Sequence, residues 1–149
     1  MTIHAWWEQL IEAVSGATEV YLATLVFDHS AFTAELLRRL KGRAPFAVTL
    51  MVDKESFEKR DAPHQRPRLR ELRSAGARVY LCKASPPFGR LHGKVALIGR
   101  RVAFAGSANF TDKSLANWEL PYRVGGQPVA DIRARLEAVL AGAVLWNGQ

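Results

Sequence analysis

The sequence has a single cysteine and no apolar run long enough to cross a bilayer. That cysteine, Cys82, cannot form a disulfide within the chain, which excludes a disulfide framework. Cys82 lies in an apolar strand-like segment and is interpreted as a core residue without a catalytic role. The N-terminal residues lack the basic start and apolar core of a signal peptide. These absences predict a cytoplasmic protein without a membrane span.

Acidic residues are also scarce, and the middle of the chain has none. The sequence carries 21 lysines and arginines against 14 aspartates and glutamates, which gives a net charge of +7. No acidic residue lies between Glu71 and Asp112. This imbalance favours a polyanionic partner, although a solvated basic face is the alternative interpretation of such a charge run.

The length and composition predict one globular domain over residues 1–149, because 48% of the residues are hydrophobic and 23% are charged. Apolar periodicity predicts helices over 3–14, 30–41, 68–76 and 130–146. β-Branched and aromatic segments predict strands over 18–27, 46–52, 77–82, 91–99, 101–107 and 119–124. The polar segment 53–68 is predicted to be a loop. This order predicts an α/β fold with a mixed β-sheet flanked by helices.

The segment LHGKVALIG, residues 91–99, places a histidine and a lysine at the head of an apolar run. Side chains alternate along a strand, so His92 and Lys94 are predicted to share one face. The run is predicted to continue through a tight turn at Gly99 and Arg100 into the next strand.

That next strand is predicted to bring Gly106, Ser107 and Asn109 alongside His92. A glycine there lets a ligand approach the backbone closely. A hydroxyl and an amide, together with the Lys94 ammonium, are suited to binding an oxygen anion. The residues therefore predict a phosphate-binding site.

Residues 92–109, HGKVALIGRRVAFAGSAN, resemble the HKD motif of the phospholipase D superfamily. In that motif H-x-K is followed after four residues by aspartate and after six more by G-S-x-N, and every position matches except Gly99, which stands in place of the aspartate. Because Gly99 falls in the predicted turn, we expect structural rather than chemical consequences. The resemblance implies a phospholipase D-like domain over almost the whole chain, with specific matches confined to residues 92–119. Its small single-motif members include the Nuc-like and Zucchini-like endonucleases.

The resemblance also implies a mechanism. A neutral His92 attacks phosphorus to give a phosphohistidine, and a second, protonated histidine donates to the leaving oxygen before it activates water. Lys94, Ser107 and Asn109 stabilise the phosphoryl charge, so no metal or other cofactor is expected. The later segment SLANWE resembles the family's stretch after G-S-x-N, where Glu119 matches the acidic residue that orients the histidine.

The chain holds one copy of the motif. His4, His29 and His64 are not followed by lysine two residues later, and they are interpreted as surface or loop histidines. The mechanism therefore requires the second histidine to come from another copy of the chain. A twofold axis would bring two His92 side chains to one phosphate, which predicts a homodimer with a shared active site.

The superfamily includes phospholipases, phosphatidyltransferases and nucleases, all of which act on phosphodiesters. The resemblance to small single-motif members implies a metal-independent endonuclease, and the basic composition agrees with nucleic acid as substrate, DNA before RNA. Predicted substrate-binding residues are Gly106, Arg90, Lys113, Arg66 and Arg68. Further basic residues suited to tracking a nucleic-acid backbone are Lys59, Arg60, Arg70 and Arg73.

Two other functions stay open. A phospholipase or phosphatidyltransferase needs an apolar entrance for acyl chains, which the segment around Phe88 would supply. A catalytically silent nucleic-acid-binding module is the second, because Gly99 replaces the family's aspartate. The segment GRLHGK is one residue too short for a P-loop, and no Cys/His cluster has zinc-site spacing. A further alternative is that His92 and Lys94 only cap the apolar core at the end of a strand. The presence of G-S-A-N at the spacing of the family motif disfavours this alternative.

Overall fold

The computed structural model describes residues 1–59, 64–84 and 89–149. Within these ranges the α-helices are α1 Ile3–Ser15, α2 Ala31–Lys41, α3 Lys54–Glu58, α4 Gln65–Ser74 and α5 Gln127–Ala141. The strands are β1 Glu19–Thr24, β2 Ala47–Asp53, β3 Arg78–Cys82, β4 Val95–Ile98, β5 Val102–Gly106, β6 Pro121–Gly125 and β7 Val144–Leu145. A short 3₁₀ helix covers Asp112–Ala116.

The strands form one mixed sheet in the order β6-β5-β4-β1-β2-β3-β7. Strands β1, β2 and β3 are parallel, whereas β4 to β6 and β7 pair antiparallel with their neighbours. Val95 pairs with Ala23 near the end of β1, and Gly106 pairs with Pro121. The ends of β1, β2, β3 and β5 and the beginnings of β4 and β6 therefore share one edge, which we call the site edge.

Helices cover both faces of the sheet. One apolar cluster joins α1, α2 and α4 to one face and includes both Trp6 and Trp7. The other cluster joins α5 to the opposite face and includes Cys82. Adjacent residues Leu50 and Met51 of β2 belong to different clusters, as side-chain alternation along a strand requires.

The α/β class with a mixed sheet and flanking helices is confirmed. The prediction of a loop over 53–68 is wrong in part, because α3 and the beginning of α4 lie within it. Asp53 caps α3 by accepting a hydrogen bond from Ser56 N at 2.9 Å. Phe57 packs edge-to-face on Trp146, with ring centroids 5.2 Å apart. This tertiary contact and the cap together explain a helix that local periodicity did not predict.

Other element boundaries also differ from prediction, and two of them bear on the site or on the sheet. The helix predicted over 130–146 ends at Ala141, and the chain then forms β7, which pairs with β3. Strand β4 begins at Val95, so His92 and Lys94 precede the strand instead of lying on its face. Residues 60–63 of the loop predicted over 53–68 lie outside the described residues, as do residues 85–88.

Candidate active site

His92 and Lys94 lie in the irregular segment that leads into β4, at the site edge. Lys94 Nζ is 3.2 Å from His92 Nδ1 and donates to the His92 carbonyl oxygen at 2.8 Å. The two side chains are therefore in direct contact, although they lie in the irregular segment before β4 and not on one face of the strand. An ammonium can only donate hydrogen bonds, so this contact is compatible with a neutral His92 ring that carries its proton on Nε2.

The half-buried ammonium of Lys94 is electrostatically coupled to Glu119. Burial lowers the pKa of Lys94 below its ordinary value, because it disfavours the charged form. The negative charge of Glu119 acts in the opposite direction and raises that pKa. This coupling places Glu119 in the same electrostatic environment as the His92 and Lys94 pair.

Ser107 and Glu119 connect the end of β5 to the beginning of β6. The Ser107 hydroxyl donates to Glu119 Oε2 and accepts a hydrogen bond from Leu120 N at 2.9 Å. Asn117 Nδ2 donates to Glu119 Oε1 at 3.4 Å. Both carboxylate oxygens of Glu119 are thus engaged by these neighbours. The expected hydrogen bond from His92 to Glu119 is not among those formed by the described residues.

Gly106 has a structural reason to be glycine. Its φ is +154°, and a Cβ atom at this position would lie 2.1 Å from the carbonyl oxygen of Leu120. The backbone that approaches Gly106 is therefore the chain's own, where the sequence predicted the approach of a ligand. The absence of a side chain at position 106 allows the end of β5 to pack closely against the backbone of Leu120, just before β6.

Asn109 follows β5 and places a buried polar atom near the site edge. Its side-chain Oδ1 is buried without a hydrogen bond within the described part of the chain. Its backbone carbonyl accepts from Thr111 N at 2.9 Å and from Ser114 Oγ at 2.7 Å, which fixes the turn after β5. Unpaired buried polar groups are rare, and one at a site edge is suited to binding a ligand.

Arg90 is held by acidic residues of β2 and α3. Its Nη2 donates to Asp53 Oδ2 at 2.8 Å and to Ser56 Oγ at 2.9 Å, and its Nε lies 3.3 Å from Glu55 Oε2. Burial is the largest influence on the pKa of Asp53 and raises it, but the hydrogen bonds from Arg90 and Ser56 outweigh burial and lower the pKa overall. Arg90, predicted to bind substrate, thus anchors the segment that carries His92.

The other predicted substrate-binding cations differ in their surroundings. The Arg66 guanidinium lies 4.5 Å from the centre of the Phe57 ring, and Arg68 pairs with Glu71 at 2.6 Å. Lys113 is exposed on the 3₁₀ helix that follows β5, and it makes no ion pair with a residue that the structure describes. Lys113 and Arg66 therefore keep a charge that no carboxylate neutralises in the described ranges.

The beginning of α4 lies close to the site edge. Phe27, just beyond β1, donates its backbone N–H to Gln65 Oε1 at 2.7 Å. The next residue, Arg66, therefore lies near that edge as well. Arg70 and Arg73 instead donate to the carbonyl oxygens of Gly148 and Trp146. Lys59 pairs with Glu55 at 2.6 Å. Arg60 and the apolar entrance suggested around Phe88 lie outside the described residues.

Two residues that hold site side chains in place were not predicted from the sequence. Asp53 anchors Arg90, and its only signal was a carboxylate at the end of a predicted buried strand. Asn117 holds Glu119, and its signal was its place two residues before that glutamate.

In residues 1–59, 64–84 and 89–149 no three histidine, cysteine, aspartate or glutamate side chains are grouped to hold a metal ion. No helix in those ranges is both long and apolar enough to cross a membrane.

Comparison with known proteins places this geometry in a family. The family model described as cardiolipin synthase, PLD-like domain, matches residues 9–138. No curated protein sequence matches the chain significantly.

Solved structures share the fold at low sequence identity. The phospholipase D family member Nuc from Salmonella typhimurium is similar with a TM-score of 0.78 and 14% identity, over 94% of this chain and 90% of Nuc. NucT from Helicobacter pylori is similar with a TM-score of 0.75 and 20% identity, over 96% of this chain and 92% of NucT. The archaeal chromatin protein TrmBL2, described as showing a novel mode of DNA binding, is similar with a TM-score of 0.63 and 10% identity, over 96% of this chain and 52% of TrmBL2. With a family model that spans most of its length and the HKD-type residues at one edge of its sheet, the chain belongs to the phospholipase D-like family.

Proposed function

We propose that the protein is a metal-independent phosphodiesterase that cuts nucleic acid, DNA before RNA, through a phosphohistidine intermediate on His92. The observation that carries the proposal is the gathering of the motif side chains at the site edge. His92 contacts Lys94, while Ser107 contacts Glu119, whose charge acts on Lys94. A nucleophile, a cation and hydrogen-bonding groups are what phosphoryl transfer requires when no metal supplies the charge.

The first chemical step joins His92 to phosphorus. The unprotonated ring nitrogen of His92 attacks phosphorus, and the bond to the leaving oxygen breaks as the partner subunit's His92 donates its proton to that oxygen. The partner's ring, now neutral, next accepts a proton from water, and the water oxygen attacks phosphorus. The phosphorus–nitrogen bond then breaks, which returns both rings to their starting states.

Lys94 has a second task in this scheme. Its ammonium contacts His92 Nδ1, and a nitrogen whose lone pair accepts a hydrogen bond is a weaker nucleophile. A phosphodiester oxygen carries negative charge and is a stronger acceptor for an ammonium than imidazole. Substrate binding therefore draws Lys94 towards the phosphate and frees the ring of His92 at the moment when the nucleophile is needed.

The dimer is proposed to form over the exposed apolar side chains beside Glu119. Trp118 is 85% exposed, Leu120 46% and Tyr122 55%, and all three lie on or just before β6, which is the last strand of the sheet on its side. Large exposed apolar groups in a row are typical of interfaces. A second copy on this surface would stand next to the Ser107 and Glu119 pair, where the second histidine is needed.

Nucleic acid is the proposed substrate because of the charge of the chain. The net charge of +7 and the absence of acidic residues from 72–111 favour a polyanion. Arg66 and Lys113 supply cations near the site edge that no described carboxylate neutralises. We expect binding that is steeply salt-dependent and largely independent of sequence, because phosphate contacts carry no base information.

The test is incubation of the purified protein with single- and double-stranded DNA and RNA in EDTA, while native mass is recorded. The His92→Ala variant should cut nothing, and the control His29→Ala, at an exposed histidine that is not part of the motif, should cut normally. Cutting in chelator by a species of dimer mass supports the proposal. Release of headgroup from phospholipid vesicles without cutting of nucleic acid would replace it with a lipid enzyme, and salt-dependent binding without any cleavage would replace it with a silent binding module.

A further inference from the structure

A cavity of about 450 Å³ lies beside His92, and the proposed mechanism does not use it. It is bounded by the segment from Gly89 to Gly93 and by the C-terminal half of α5. Its volume is within the range of pockets that bind small organic groups. Because His92 itself forms part of the wall, any group in the cavity lies next to the reacting phosphate.

The lining combines apolar surface with cations. Leu91, Ala138 and Val139 provide apolar surface, whereas Lys83 and Arg135 bring exposed charges that no carboxylate in the described ranges neutralises. An arginine guanidinium is planar and stacks on aromatic rings, including nucleobases. A lining of this kind suits a flat, largely apolar group that is covalently attached to phosphates.

We propose that this cavity binds the nucleobase of a nucleotide flanking the scissile phosphate, so that the enzyme acts on nucleic acid whose bases are unstacked. The inference rests on the proposed function and specifies its substrate as single-stranded. A base in a duplex must leave the stack before it can enter a pocket, which disfavours double-stranded substrates.

An acyl chain fits this lining less well. Four of the eleven lining residues carry cationic or imidazole side chains, namely Lys83, Arg90, His92 and Arg135. A saturated chain gains nothing from these groups and would strip water from them, whereas a base with its adjoining phosphates makes use of both the apolar and the charged parts.

The test places a bulky side chain of α5 in the cavity. Ala138 is exposed and lines the cavity, so Ala138→Phe places a ring in it without disturbing the core. Ala134 is exposed on the same helix but does not line the cavity, so Ala134→Phe is the matched control. Thermal unfolding of both variants confirms that they are folded.

The substrate is a single-stranded DNA oligonucleotide in which one nucleotide is replaced by an abasic linker. We expect the wild type to cut the phosphates next to the linker about tenfold more slowly than other phosphates of the same strand, because the stacking energy of one base is lost. Ala138→Phe should cut every phosphate at that lower rate, so the difference between positions disappears. Ala134→Phe should behave as the wild type does.

Equal cutting at abasic and normal positions by the wild type would overturn the inference while leaving the nuclease proposal intact. Unchanged activity of Ala138→Phe would overturn it as well. If the wild type cuts no nucleic acid, the nuclease proposal fails. Binding of a fluorescently labelled single-stranded oligonucleotide, measured by fluorescence anisotropy, then decides the inference by itself. Weaker binding by Ala138→Phe than by Ala134→Phe supports the base pocket, and equal binding refutes it.

Discussion

Replacement of Gly106 by alanine distinguishes a glycine required by the fold from a glycine required by a ligand. The added Cβ would lie 2.1 Å from Leu120 O, and the residue would keep a φ of +154°, which side chains rarely adopt. Backbone strain of this kind costs about 1–3 kcal/mol. Displacing the β6 backbone to relieve the overlap costs about 1–3 kcal/mol more. We therefore expect Gly106→Ala to lower the free energy of unfolding by about 2–6 kcal/mol.

The assay is thermal and urea unfolding followed by circular dichroism. For a domain of this size each kcal/mol shifts Tm by about 2–4 °C, so Gly106→Ala should melt roughly 5–20 °C below the wild type. Gly93→Ala is the near-neutral control, because no atom lies within 4 Å of its Cβ position and its φ is not positive. Gly99→Ala has a φ of +59° without an overlap, and it should cost about 1–2 kcal/mol.

The order of the three variants is the critical result. If Gly106→Ala is as stable as Gly93→Ala, the overlap with Leu120 does not determine the residue and the reasoning is wrong. Unchanged stability together with lost binding of a phosphodiester would favour the original prediction, in which the glycine makes room for a ligand.

Four further predictions concern the surroundings of the site. Gly99→Asp, which restores the family's aspartate, should leave kcat/KM unchanged, because the turn is about 13 Å from the beginning of β4 at strand spacing; a tenfold change would contradict this. Arg90→Ala should destabilise the protein more than Asp53→Asn in urea unfolding, because only the first leaves a buried carboxylate without its cation; equal losses would refute the assigned pair. Since the pKa of Asp53 is lowered, its contribution to stability is present above about pH 4 and is lost as the pH falls through the lowered value, and Asp53→Asn should reduce that loss. Glu119→Gln removes the charge that raises the pKa of Lys94, so the alkaline limb of the activity–pH profile should move to lower pH; an unmoved limb would show that Lys94 titrates independently.

Much of the site followed from the sequence because it is encoded locally. The spacing of H-x-K and G-S-x-N placed His92, Lys94 and Ser107 at the head of one strand and the tail of the next, and an antiparallel hairpin necessarily brings those ends together. Gly99 lies in the turn of that hairpin, with a φ of +59°, as the sequence predicted.

The rest depends on contacts between distant parts of the chain. Arg90 looked like a free cation because Asp53 is remote in sequence, and only the end of β2 brings the two together. The need for glycine at position 106 arises from the Leu120 carbonyl of the neighbouring strand. Strand β7 is two residues long and exists through its pairing with β3, so local propensity predicted a continued helix there.

The central claim is that two copies of His92 act on one phosphate, and mixing wild-type and His92→Ala subunits tests it most directly. The two proteins are unfolded and refolded together in varying proportions, and cleavage of nucleic acid is measured in EDTA. A shared site requires two wild-type subunits, and random pairing in an equal mixture makes about a quarter of the dimers wild type in both subunits. The mixture should therefore retain about a quarter of the activity of the same total amount of wild-type protein. Retention of about half would mean that each subunit works alone and would contradict the account.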